Sequence, residues 1–501
     1  MKIGVHVDNN FRIAHRAFLR SAPLLIGVAV FLANPKHLLP GDSVSFDGSS
    51  ESFSSIHSAF GREVGPDAQS LGLAGTTSTR TDSFTAWAGN PGLTMSNATH
   101  GRHVKEQMNV SAGISTSAFD RKWTPYKDNV TAITPTITGN SLPRLKGFAS
   151  IRGRVPSTPF TASLGYFAWV DREVSLPRAK GDPALTSPLR FSSIRTRFLK
   201  RSAALAVATS LLDGHASIGL GLGMYTVRLE QERHLSGLSK GEAPRPYEDT
   251  SWDVPMSMSL QDKWVPRGSI GMMLKPWNFL TTTLAVGMTR GPRLRGDIKA
   301  EAPAGDPLAS FTGDKGASTT LPWELEIITG ISVTIGRFWF AGEFMHLIRK
   351  PGSAAISTDI FTVGSHNTGE KIPWGDIRLP YPIETGRTRF SGAAEVKLLD
   401  GVVSLRGGFS AKNASAPTYL EPVSPDENWS GLVSAGVSIQ FNKLVLDLGY
   451  GYTFSKEVTM KTQAQAPAPF GGPLPIIPYT KKKTEGHIAA FTLSYSLTHL
   501  Q

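Results

Sequence analysis

The sequence predicts an all-β protein: an antiparallel transmembrane β-barrel of about 14 strands with an N-terminal hatch inside the lumen. Three observations carry this. Segments alternate with period two between an apolar and a small or polar face. Alternating segments meet in pairs at very short turns, and long polar loops separate the pairs. The number of segments is even, which puts both chain ends on the short-turn side, as in single-chain outer-membrane barrels.

The clearest pair is 430–441 and 443–454, joined at Asn442. Leu444, Leu446, Leu448, Tyr450, Tyr452 and Phe454 share one face, and Val445, Asp447, Gly449, Gly451 and Thr453 the other. Other pairs are expected at 145–153/159–171, 202–211/215–228, 268–275/279–289, 324–334/337–348 and 389–398/402–411. A first strand at 105–119 and a last at 487–497 complete the wall. The short turns carry Pro156-Ser157, Asp213-Gly214, Pro276-Trp277-Asn278, Gly336 and Asp400-Gly401, residues suited to tight reversals. Long loops are expected at 120–144, 172–201, 229–267, 290–323, 349–388, 412–429 and 455–486. Leu220 and Leu222 should face lipid, with Gly219, Gly221 and Gly223 inside. Those glycines lack the following helix of a nucleotide-binding loop.

Composition fits. Hydrophobic residues make up only 40% of the chain, which excludes a bundle of membrane helices, whereas a barrel spends half its wall on a polar interior. There is no cysteine, which suits passage through an oxidising compartment and removes thiol chemistry. The net charge is +12, but Lys and Arg are scattered through loops and not clustered on a helix, so nucleic acid is not an expected partner.

Three regions are expected: 1–45 as signal peptide and cleavage region, 46–100 as N-terminal extension and hatch, and 101–501 as barrel. Lys2, Arg12, Arg16 and Arg20 precede the apolar run 24–33, which is too short to span a bilayer. Cleavage is expected within 33–45; a buried core helix is the alternative for the run. Residues 46–100 hold scattered aromatics without sustained alternation, too apolar for a linker and too irregular for wall.

By parity Glu324, Glu326, Glu343, Glu395, Lys397, Arg406 and Asp447 point inward, with Lys146 and Arg152. Either a lumenal cation holds an anionic ligand head, or these groups pair across strands, for example Arg406 with Glu395. No local motif assembles a catalytic triad and the 12 His show no metal spacing, so neither catalysis nor a metal or cofactor is expected.

Several segments resemble the outer-membrane long-chain fatty acid and hydrocarbon transporter family (FadL/TodX type). Leu71-Gly72-Leu73-Ala74-Gly75, Asp82-Ser83-Phe84 and Asn90-Pro91-Gly92-Leu93 are similar to the family's hatch, with Gly92 where Ala is usual. Thr320-Leu321-Pro322 with Trp339 to Phe344 resembles one of its hairpins. Leu405 to Phe409, Pro417, Pro425-Asp426, Trp429 and Leu446 to Tyr450 resemble, in order, its most specific run, and 487–495 its last strand. Residues 34–70 are longer than the family's usual lead-in, and the chain ends on Leu497 to Gln501 without a terminal aromatic, which bears on recognition by the barrel assembly machinery.

The resemblance implies a monomeric plugged barrel in the bacterial outer membrane, surrounded by its lipids. It implies passive transport of hydrophobic small molecules such as long-chain fatty acids, by binding inside the barrel and sideways exit through a gap in the wall. Phe84, Trp87, Asn90 and Pro91 belong to the expected hatch. Two alternatives share the wall: a general porin for polar solutes, and a structural or adhesive barrel.

Overall fold

The computed structural model describes residues 67–80, 88, 90–94, 107–126, 137–155, 158–175, 194–237, 250–304, 310–349, 354–363, 371–373, 377–379, 386–414, 429–455, 457–460 and 479–498. The expected signal region, the turn Pro156-Ser157, and Phe84 and Trp87 lie outside these residues.

The strands are β1 (Gln107–Tyr126), β2 (Ile137–Arg154), β3 (Phe160–Ser175), β4 (Arg195–Leu211), β5 (Ala216–Ser236), β6 (Asp253–Trp277), β7 (Leu280–Thr289), β8 (Arg293–Ala300), β9 (Ser310–Thr320) and β10 (Glu324–Ile335). They continue as β11 (Phe338–Arg349), β12 (Ala354–Val363), β13 (Lys371–Pro373), β14 (Ile377–Leu379), β15 (Gly386–Leu398), β16 (Val403–Ala414), β17 (Trp429–Phe441), β18 (Leu444–Ser455), β19 (Val458–Met460) and β20 (Tyr479–Thr498). Antiparallel pairing of β1 with β20 closes a 14-strand barrel. In that count β7 with β8, and β9 with β10, are each one wall strand broken at Gly291-Pro292 and at Leu321-Pro322, where a proline interrupts the ladder. The two breaks face each other: the Leu321 amide donates to the Pro292 carbonyl at 2.8 Å.

The expected pairs and their lipid phase match the wall. Leu220, Leu222, Leu448, Tyr450 and Phe491 are exposed, while Asp447 and Thr492 are buried. The sequence Leu-Asp-Gly makes the same reversal twice, at Leu212–Gly214 and Leu399–Gly401, with positive φ at Leu212, Leu399 and Asp400 and at both glycines. Asn442 and Gly336 take the same left-handed region in their turns.

The expected loops were too long. Strand β6 begins at Asp253, inside the expected loop 229–267, and β8, β9 and β12 occupy much of 290–323 and 349–388. These extensions lie beyond the apolar belt, so the lipid no longer imposes its side of the alternation.

Candidate functional site

The barrel interior has two unlike sectors. One is charged and holds N-terminal residues. A short helix, Ala68–Gly72, is capped by Asp67, whose carboxylate accepts from the Ser70 amide at 2.7 Å. Residues 67–80 are buried throughout. They are held by inward side chains of the wall. The Ala68 amide donates to Thr492 Oγ1 at 2.9 Å, and the Thr77 and Ser78 amides donate to Glu343 Oε2 at 3.1 and 2.8 Å. Glu343 also pairs with Arg389. Arg80 lies 2.9 Å from Glu395 and 4.8 Å over the Trp339 ring. Arg406 bridges Glu395 and Asp447. The side chains of this Arg80–Glu395–Arg406–Asp447 chain are at most 6% exposed. Such charges are tolerated away from water only when mutually paired.

Of the sequence candidates, Glu343, Glu395, Arg406 and Asp447 therefore meet at the N-terminal segment. Lys397 does not: it is exposed near the Leu399–Gly401 turn. Glu326 pairs with Arg267 elsewhere on the inner wall, and Gly287 lies under the Arg267 guanidinium, where any side chain would collide with it. Cross-strand pairing thus accounts for the central charged candidates.

Glycines let backbone meet backbone. Gly72 and Gly436 touch: a Cβ on Gly72 would lie 3.0 Å from the Gly436 Cα. Gly408 and Gly449 receive Leu73 and Ala68 in the same way. A second contact forms across the lumen, at β5 and β6. There Asn90 folds an Asx turn onto the Gly92 amide at 3.0 Å, and its Nδ2 donates to the Met272 carbonyl at 3.4 Å. Ser217 Oγ donates to the Gly92 carbonyl at 2.8 Å. Side chains at Gly219 or Gly271 would strike Pro91 or Asn90. The mid-strand glycines therefore mark where residues 90–92 rest on the wall.

The other sector is apolar, and sequence reasoning missed it. On the inner face beyond the Asn90 contact, Phe198, Leu229 and Leu260 stand in register across β4, β5 and β6, all fully buried. Met258 and Ile298 form the next row beside buried Gln231 of β5, and Val227 and Val265 border the sector. The available signal was Val254, Met256, Met258 and Leu260 alternating with Pro255, Ser257 and Ser259. Its phase is the reverse of the lipid belt: apolar side chains point inward here. At the edge of this sector Lys200 places its ammonium 4.5 Å from the centre of the Tyr225 ring.

The wall beside it is incomplete. Among the described residues, β2 and β3 pair only from Arg154–Thr161 to Phe148–Phe167. Yet β2 goes on pairing with β1 as far as Ile137, and β3 with β4 as far as Ser175. A bulge at Ala168/Val170 accompanies the break. Phe148 and Phe167 lie at its lip, buried, with ring centroids 6.4 Å apart and planes 9° from parallel.

No protein-family model and no curated relative matches the sequence. Solved structures do match. A FadL homologue of Pseudomonas aeruginosa superposes with a TM-score of 0.64 over 87% of this chain and 99% of its own, at 14% identity. The toluene transporter TodX of P. putida gives 0.59 over 88% and 100%, at 12% identity. The toluene transporter TbuX of Ralstonia pickettii gives 0.53 over 87% and 99%, at 13% identity. This chain therefore has the fold of the FadL/TodX-type outer-membrane transporters.

Proposed function

We propose that this protein carries hydrophobic compounds across the bacterial outer membrane by binding and diffusion, with residues 67–80 and 90–94 belonging to a hatch. The apolar inner face around Phe198, Leu229 and Leu260 carries the reading, because a conduit for polar solutes gains nothing from burying apolar side chains inward. Substrate enters from the long-loop end, lodges against this face, and is turned aside by the hatch residues Asn90 and Pro91. It leaves through the break between β2 and β3, past Phe148 and Phe167. The route is continuous with the lipid phase, so the compound avoids transfer into water. The structural neighbours include proteins described as toluene transporters, which supports hydrophobic cargo.

Long-chain fatty acids fit as well as neutral hydrocarbons, because Lys200 gives the apolar face a cationic edge where a carboxylate can lie. Lys200→Met should weaken binding of a fatty acid several-fold and leave a neutral hydrocarbon of equal chain length unaffected. Equal losses for both would remove fatty acids from the proposal.

The route has its own test. The chain lacks cysteine, so Gly147→Cys with Ala168→Cys places a unique thiol pair on the two sides of the break. Joining them with a short reducible crosslinker should slow uptake, and reductant should restore it. Undiminished uptake in the crosslinked protein would exclude this exit.

A further inference from the structure

We propose that the outward face of β4, β5 and β8, just past the lipid belt on the long-loop side, is a binding surface for a phosphorylated glycolipid of the outer leaflet. This rests on the outer-membrane reading above. The lipid belt is explicit on these strands: Leu205, Leu220, Leu222 and Met288 are all exposed. Continuing outward, the same faces change abruptly to arginine. On β4 the alternation passes from Leu205 to exposed Arg201, and on β5 from Met224 to exposed Arg228. Met288 at the end of β7 is followed on its own face by exposed Arg290, and β8 opens with exposed Arg293 and Arg295.

Register draws them together. Gln261 of β6 pairs with Arg228 on one side and Arg295 on the other, and Arg201 pairs with Thr226, one step from Arg228. At the ordinary spacing of neighbouring strands the group spans about 14 Å. Two of the arginines are answered by carboxylates: Arg228 lies 2.6 Å from Glu230, and Arg290 2.7 Å from Asp262. Among the described residues the guanidinium groups of Arg201, Arg293 and Arg295 have no carboxylate within ion-pair distance, while the Arg293 amide donates to Asp262 Oδ2 at 2.8 Å, and the patch retains excess positive charge.

The opposite wall shows that this is not a general property of the rim. There β18 ends its belt in Tyr450, Tyr452 and Phe454, with His487 of β20 donating to or accepting from the Tyr450 hydroxyl at 2.6 Å. On β20 the exposed Lys481 and Lys483 are matched by Glu457 and Glu485 at 3.3 and 2.5 Å. A diphosphorylated, acylated headgroup suits the arginine side. Its acyl chains lie along Leu205, Leu220 and Leu222, and its phosphates reach guanidiniums that form bidentate contacts. A soluble anion would use only the second half of this surface.

The test uses the full chain in detergent with bis-phosphorylated lipid A, read by native mass spectrometry. Wild-type protein should retain lipid A. It should hold monophosphorylated lipid A more weakly, and diacylglycerol not at all. R201Q/R293Q/R295Q should lose at least tenfold in lipid A affinity, while K481Q/K483Q on the other wall keeps it. Undiminished binding by the arginine variant overturns the proposal. So does lipid A binding that ignores the phosphate count, a comparison made on wild-type protein that stands even if the variant misfolds. Inorganic phosphate displacing lipid A at equal concentration would show a bare anion patch and also overturn it. A barrel that inserts into bilayers but fails these arms loses only the glycolipid site; one that does not insert loses the membrane reading itself.

Discussion

The two sectors of the lumen place opposite demands on the same wall. At β11, β15, β16 and β18, inward charges are paired with one another and with the N-terminal segment, and glycines bring backbones into contact. At β4, β5, β6 and β8, the inner face around Phe198, Leu229, Leu260, Met258 and Ile298 is apolar, with Lys200, Gln231 and Arg233 at its edges. The first arrangement fixes a segment in one place, since a carboxylate with two partners has little freedom to move. The second is tolerant, since dispersion and hydrophobic contacts are non-directional. The proposed carrier function would use both: one sector to hold the obstruction, another to accept cargo of varied shape.

Several changes would break or sharpen that contrast, and the largest effect is expected in the charged sector. Arg406→Met leaves Asp447 buried without its partner and Glu395 with only Arg80. Removing one member of a buried pair costs about 3–5 kcal/mol, to be measured by reversible urea unfolding in bilayers. Arg406→Met with Asp447→Leu should recover much of that loss. If the single variant is as stable as wild type, the charged sector is not what holds the fold.

The two faces of the wall supply the second test. Arginine at a lipid-facing position costs about 2–4 kcal/mol near the bilayer midplane. Leu220→Arg should therefore impair insertion, while Leu260→Arg, inside the barrel, should spare insertion and abolish hydrophobic binding. A reversed order would mean that the faces are misassigned.

A subtler change probes the tolerant sector. Leu260→Ala removes apolar contact worth about 0.8 kcal/mol per methylene, so affinity for a hydrophobic ligand should drop by roughly tenfold while stability changes less. Calorimetric titration into detergent-solubilised protein reads this directly. Smallest of all is Lys397→Gln at the exposed turn end of β15. Surface substitutions of this sort stay within about 0.5 kcal/mol, and neither unfolding nor uptake should change.

The contrast also explains what could be read from the sequence. Strands with lipid on one face and small groups on the other were legible because two solvents imposed opposite choices at successive residues. Leu444 to Phe454 is the plainest case. The pairing of Arg406 with Glu395 followed from parity and neighbour order alone. The apolar inner face was not legible, because Val254 to Leu260 has the right period but the opposite phase, and period does not say which side is inside. The break between β2 and β3 was hidden for another reason: each strand remains fully paired on its other side, so neither loses its strand character locally. Residues 67–80 and 90–94 lack periodicity altogether, and only their glycines hinted at close contact.

The paired interruptions at Gly291-Pro292 and Leu321-Pro322 have a practical consequence. Below them β7 and β10 pair with each other; above them β8 and β9 pair, and β9 gains β12 as its other neighbour. Two adjacent strands are thus interrupted at one level while keeping each other and β6 as neighbours, which leaves a local suture in this part of the wall between the membrane-embedded cylinder and its outer rim. Exchanging the β8–β9 hairpin distal to that suture for the equivalent hairpin of a related barrel would alter the outer rim without re-registering the β7–β10 ladder. Diversification of what such a protein admits, in nature or in the laboratory, can proceed by grafting there.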